Sequence, residues 1–204
     1  PGPPRIKICG LQTTSDVDAA VDAGADAVGF VLAEDSPRTV SPSQATRLAY
    51  HAGDRVAIVM LLADAPPDMD TIAQDHWLQL HGNESNSRIR QAASVTEVIR
   101  AVPWHANDAI RELDADPHIS RLLIDGPYGG SGMPFNHQDF AAIAGSLQTP
   151  WILAGGLNPD TVGAAISTLR PWGVDVSSGV ESSPGIKDPA RIAAFCDAVR
   201  AASG

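Results

Sequence analysis

The chain has 204 residues, 44% of them hydrophobic and 19% charged, and a formal net charge of −10, a balance that fits one soluble globular domain and excludes disordered, collagen-like and coiled-coil classes. The acidic surplus repels polyphosphate backbones, so nucleic acid is not expected as a partner, and an anionic ligand would need a local cationic or amide site. The longest wholly apolar run, Val56 to Ala63, falls far short of the roughly 20 residues of a membrane span, and no secretory signal is visible, so no membrane association and a cytoplasmic address are expected.

A single catalytic domain is expected over residues 1–204, with Pro1-Gly2-Pro3-Pro4 as a frayed or appended end. The first predicted strand, Ile6–Cys9, ends on a cysteine followed by Gly10. A second, Ala27–Leu32, leads into the loop Ser36-Pro37-Arg38. Ser41-Pro42-Ser43-Gln44 then supplies an N-cap hydroxyl, a proline at the first helical position and a glutamine three residues after the cap, the pattern of a capping box. The apolar stripe Ala45, Leu48, Ala49 and Ala52 follows at helical spacing. Strands are predicted next at Val56–Leu62, Trp77–Leu80 and Val95–Val102, with short helices over 83–93 and 106–113. A sixth strand, Arg121–Asp125, closes on a carboxylate and runs into Gly126, and the later Gly129-Gly130-Ser131-Gly132 reads as a mobile lid-like loop. The seventh, Trp151–Ala154, meets Gly155-Gly156, and Asn158-Pro159 opens a helix with Val162, Ala165, Ile166 and Leu169 on one face. The eighth, Val174–Ser177, meets Ser178-Gly179, and Asp188-Pro189 opens a last helix whose core stripe is Ile192, Phe195, Cys196 and Val199. Eight strands alternating with helices, at about 25 residues per unit, suggest a closed (β/α)8 TIM barrel, although an open doubly wound sheet shares this local grammar.

Barrel chemistry gathers at the C-terminal strand ends, and there the chain places Cys9, His81 and Asp125, with glycine pairs after the last strands. Cys9 shares a strand face with Lys7. If that face is the barrel interior, the ammonium lies roughly 7 Å away and favours a thiolate, able to act as nucleophile or base; a structural cysteine is the alternative. Asp125 offers a carboxyl for general-acid work if its surroundings allow, or a turn cap. Gly155-Gly156 and Ser178-Gly179 permit close backbone approach to an anion, a phosphate cup in the usual place for such barrels, or plain tight turns. Arg38 could clamp a carboxylate or stay solvated. His81 shares a face with Gln79 and reads as a core or a catalytic histidine, while Asp175 is placed to pair with Lys7 once strand eight closes on strand one. Cys9 and Cys196 read as free thiols, and no metal site is legible.

Taken together, Lys7-Ile8-Cys9-Gly10, Ser36-Pro37-Arg38, Leu78-Gln79-Leu80-His81-Gly82, Asp125 with Gly129-Gly130-Ser131-Gly132, Leu153-Ala154-Gly155-Gly156-Leu157 and Asp175-Val176-Ser177-Ser178-Gly179-Val180-Glu181 resemble the phosphoribosylanthranilate isomerases of tryptophan biosynthesis. The resemblance covers nearly the whole chain; Ser131 stands where such enzymes more often have threonine. It implies a cofactor-independent Amadori rearrangement of N-(5-phosphoribosyl)anthranilate to 1-(2-carboxyphenylamino)-1-deoxyribulose 5-phosphate. By the same resemblance Asp125 would be the general acid and Cys9 the general base. Arg38 would hold the anthranilate carboxylate, and Gly155, Gly156, Ser178 and Gly179 the phosphate. His81 and Asp175 match family motifs without an assigned role. A phosphorylated small molecule is the expected ligand, and the protein a monomer or homodimer. The sugar isomerases of histidine biosynthesis are a weaker match, since they carry an aspartate at the Cys9 position and a half-to-half repeat that this chain lacks. A non-catalytic phosphate-binding barrel is disfavoured because both acid and base are present.

Overall fold

A computed structural model describes residues 5–126 and 137–202; the expected N-terminal end at 1–4 and the Gly129-Gly130-Ser131-Gly132 run lie outside the described residues. Eight strands form the centre: β1 Arg5–Cys9, β2 Ala27–Val31, β3 Ala57–Leu62, β4 Trp77–Leu80, β5 Val98–Pro103, β6 Arg121–Asp125, β7 Trp151–Leu153 and β8 Gly173–Val176. They pair in parallel in chain order, and β8 also pairs with β1, in a register that sets Lys7 beside Asp175. That last pairing closes the sheet and excludes the open doubly wound alternative. Helices α1 Thr14–Asp22, α2 Pro42–Ala52, α3 Asn86–Ala93, α4 Asn107–Leu113, α5 His137–Ala144, α6 Val162–Leu169 and α7 Pro189–Ala201 follow the strands.

Strand alternation divides the apolar side chains into two layers. Ile6, Ile8, Val28 and Phe30 face outward against the helices, in one cluster with Ala20, Leu48, Ile192 and Phe195. Val59, Ile99, Ala101, Leu123 and Ile152 fill the interior. At the N-terminal end of the barrel the Arg121 guanidinium lies 4.4 Å from the centre of the Trp172 ring and 5.5 Å from that of Trp77, within cation–π range. A cavity of about 220 Å³ remains at this end beside Trp77, Arg121 and Trp172, while the polar strand endings singled out from sequence open on the opposite, C-terminal mouth.

Several local expectations change in three dimensions. No α-helix joins β3 to β4; Pro67–Ala73 forms a 3-10 segment after Pro66, fixed by the Arg88 fork on the buried Asp70 at 2.6 and 2.7 Å. The fifth strand begins at Val98, because the Val95 and Thr96 amides donate to the Ala92 carbonyl and finish the turn of α3. Ser41 caps α2 through the Gln44 amide as expected, but the Gln44 side chain donates to the Gln12 carbonyl at 2.8 Å, so only half of the capping box forms. Asn158 accepts from the amides of Asp160 and Thr161 in a turn, and α6 begins after it. An antiparallel hairpin, β9 Glu181–Ser183 with β10 Ile186–Lys187, stands between β8 and α7, an element with no periodic signal in the sequence.

Helix α7 follows expectation, with the Asp188 carboxylate accepting from the Ala190 and Arg191 amides and Ile192, Phe195, Cys196 and Val199 buried. Burial pushes the Cys196 thiol from its ordinary 9.0 up to about 11. The unfolded chain releases this proton once the pH passes 9.0, whereas the folded chain holds it to about 11, so the thiol leaves stability untouched below that window and weakens it across the window. The melting temperature of the native chain should therefore fall more steeply through this range than that of Cys196→Ala. Parallel curves would remove the assignment.

Candidate active site

At the C-terminal mouth is a cavity of about 530 Å³ whose walls include Cys9, Arg38, His81, Asp125, Gly155, Gly156, Asp175 and Ser178. The barrel thus brings together, from six separate segments, all but one of the site residues proposed from sequence. The exception is Gly179, which packs behind the wall; a Cβ there would overlap the Leu157 carbonyl, so its glycine lets the loop after β8 close on the loop after β7. Gly155 has φ +81°, and a Cβ on it would run into the Gly126 backbone, which is why no larger residue suits the turn. Among the described residues, no hydrogen-bond acceptor takes the amides of Gly155, Gly156, Ser178 or Gly179.

Lys7 and Asp175 form the expected interior pair, Nζ to Oδ1 at 2.8 Å, with both side chains buried. Burial works against the Lys7 ammonium, yet the charges of Asp175 and Cys9 more than offset it and hold its pKa above the ordinary lysine value. Cys9 is 4% exposed and packs with Val31 and Leu61. Burial raises its pKa, and Lys7 opposes that rise only in part, with Asp175 adding to it and Lys187 easing it. The expectation that Lys7 favours the thiolate therefore holds in sign and fails in net effect. The ammonium is shared with Asp175, and desolvation outweighs what remains of its field.

On the facing wall the Gln79 amide nitrogen lies 2.9 Å from His81 Nδ1, and His81 Nε2 lies 3.2 Å from Asp125 Oδ2. With the amide donating to Nδ1, the ring proton sits on Nε2 and points at the Asp125 carboxyl. His81 is thus a cavity residue in contact with the candidate acid and not a core histidine.

Arg38 reaches the cavity, but not as a free clamp. Its Nε and Nη2 donate to the two oxygens of Glu181 at 2.7 and 2.8 Å. Glu181 is buried and also accepts from Lys187 Nζ at 2.8 Å and from the Gly185 amide at 3.2 Å. Burial disfavours the Glu181 carboxylate, but Arg38 and Lys187 reverse this and hold its pKa below the usual range. Lys187 donates in addition to the Ser177 carbonyl at 2.9 Å, and the Ser177 hydroxyl donates to the Cys9 carbonyl at 3.0 Å. Neither Glu181 nor Lys187 is marked as a site residue by the sequence pattern alone. The available signal was a charged residue in each arm around the Pro184-Gly185 turn, which is weak.

A profile described as N-(5'phosphoribosyl)anthranilate (PRA) isomerase matches residues 6–198. The chain is 42% identical over 206 residues to the N-(5'-phosphoribosyl)anthranilate isomerase of Dechloromonas aromatica, covering 97% of each protein. The crystal structure of TrpF from Jonesia denitrificans superposes with a TM-score of 0.85 at 42% identity, over 98% of both chains. A phosphoribosyl anthranilate isomerase in complex with reduced 1-(o-carboxyphenylamino)-1-deoxyribulose 5-phosphate superposes with a TM-score of 0.83 at 31% identity, over 97% of this chain and 99% of that one. With matches of this extent on a closed eight-stranded parallel barrel, the chain belongs to the N-(5'-phosphoribosyl)anthranilate isomerase family.

Proposed function

We propose that Cys9 and Asp125 are the base and acid with which this chain isomerises N-(5'-phosphoribosyl)anthranilate in tryptophan biosynthesis. The activity is the family's, and the assignment of roles rests on one observation. The two residues enter a single cavity from β1 and β6, strands that are not neighbours in the barrel, with unengaged amides on one wall and Arg38 on another.

The reaction is an internal redox exchange in which the enzyme delivers a proton to the ring oxygen and removes one from C2, the final tautomerisation moves the enol proton to C1, and no external electron acceptor is needed. Asp125 gives a proton to the ribose ring oxygen, the C1–O bond breaks, and the anilino nitrogen pushes its lone pair into an iminium. The cationic iminium acidifies the C2 hydrogen, so a base of moderate strength suffices; Cys9 removes it, giving an enolamine that tautomerises to the ketone. His81 holds the Asp125 carboxyl at 3.2 Å. The amides of Gly155, Gly156 and Ser178 hold the phosphate, and the Gly179 amide adds to them from the turn after β8. Asp175 supports the site through Lys7, which it keeps charged beside Cys9.

The direct test is the decay of substrate fluorescence, with the substrate generated in situ, in the presence of the native chain. A native chain that leaves the signal unchanged overturns the assignment. Arg38 holds the anthranilate carboxylate in this scheme, and a charge-assisted hydrogen bond contributes about 1.5–3 kcal/mol. Arg38→Ala should then lower kcat/KM by roughly 10- to 100-fold, chiefly through KM. An unchanged kcat/KM rejects the clamp.

A further inference from the structure

The hold on Arg38 exceeds what its own loop provides. Within the loop after β2 the Arg38 backbone has a single side-chain contact, its amide on the Ser36 hydroxyl at 3.2 Å. The guanidinium is fixed from elsewhere, by a fork-to-fork pairing with Glu181 at 2.7 and 2.8 Å. Such a pairing sets both the plane and the direction of the group. Glu181 is held in turn by Lys187 and by the Gly185 amide, and Lys187 by the Ser177 carbonyl at the end of β8. Two features of this cluster bear on the substrate. Among the described residues, two cations, Arg38 and Lys187, share one carboxylate, which leaves one positive charge. Arg38 Nη1 donates to no described residue, so one edge of the guanidinium remains for a ligand.

We propose that Glu181, braced by Lys187, is a positioning residue for the reaction: it turns the guanidinium of Arg38 so that the free Nη1 edge meets the aromatic carboxylate of the substrate, while the cluster keeps the single positive charge that this carboxylate neutralises. The proposal rests on Arg38 as the carboxylate clamp. The hairpin β9–β10 thereby acquires a purpose, since Glu181 and Lys187 sit in its opposite arms and the antiparallel register sets them side by side.

The test compares Glu181→Gln with Arg38→Ala on two stable ligands, reduced 1-(o-carboxyphenylamino)-1-deoxyribulose 5-phosphate and the same molecule lacking the carboxyl group, titrated by NMR to millimolar concentration. Glutamine keeps the shape and loses the charge-assisted fork. Glu181→Gln should weaken the carboxylated ligand about 10-fold and the carboxyl-free one by less than about twofold. On substrate, KM should rise about 10-fold with kcat within about threefold. A purely structural role would weaken both ligands equally, and that result, or no weakening of either, overturns the proposal. Arg38→Ala separates the two levels of inference. If it discriminates between the ligands and Glu181→Gln does not, only the positioning role falls; if it does not discriminate, the clamp falls as well. Should Glu181→Gln fail to fold, Glu181→Asp, which keeps the charge and withdraws it by one methylene, should give the same selective loss, and equal losses overturn the proposal.

Discussion

Replacing Cys9 with alanine is expected to lower kcat for phosphoribosylanthranilate isomerisation by at least about 100-fold, the usual contribution of a positioned base. The fold should survive, because the change removes one buried sulfur from a wall otherwise made by Val31 and Leu61, and affinity for the reduced product analogue should stay within about threefold, since that ligand asks nothing of the base. The pH dependence carries a second signature. A thiol must lose its proton before it can accept one from C2, and burial raises the Cys9 pKa above its ordinary 9.0. The rate should accordingly climb with pH on a limb centred above 9.0. The Lys7 ammonium lowers the Cys9 pKa, so Lys7→Met should move that limb to still higher pH. Turnover in Cys9→Ala within tenfold of native would falsify the base assignment, and a limb that Lys7→Met leaves in place would show that another group titrates.

The parts of this site that the sequence announces are those carried by strand periodicity. Cys9, His81 and Asp125 are polar endings on apolar runs, and in a barrel the end of a strand is a position in space. The Lys7–Asp175 pair follows from two-residue alternation and closure of β8 on β1, and the observed register bears it out. What stayed hidden depends on contacts between segments remote in sequence or on local geometry without a period. The hairpin β9–β10 is three residues against two, too short for alternation to register, so nothing in the sequence pairs Glu181 with Lys187. Arg38 was legible as a cavity residue, but not its occupied fork, because Glu181 stands 143 positions away. Burial of Cys9 reverses the expected net effect of Lys7, and desolvation is a property of the assembled wall rather than of the Lys-x-Cys spacing. Gln44 was expected to finish a capping box and is drawn instead to the Gln12 carbonyl, a tertiary acceptor winning over a local one.

Asp125→Asn should be as damaging as the loss of the base, at least about 100-fold in kcat, for a different chemical reason. Asparagine fills the same volume, and its carbonyl can accept the His81 Nε2 proton that faces Oδ2 at 3.2 Å, so the wall should keep its shape and the reduced product analogue its affinity. What is lost is the transferable proton. Without it the furanose ring does not open, no iminium forms, and the C2 hydrogen that Cys9 would remove is not acidic. Because the two steps act in series on one substrate, Cys9→Ala combined with Asp125→Asn should be little slower than the slower single variant, where independent effects would multiply to roughly 10⁴-fold. A kcat for Asp125→Asn within tenfold of native would give the acid's role to another donor, and His81, in contact with Asp125 and lining the same cavity, would be the first to examine. A multiplicative double variant would instead mean that base and acid do not work on a common intermediate, which the opening-then-deprotonation order does not permit.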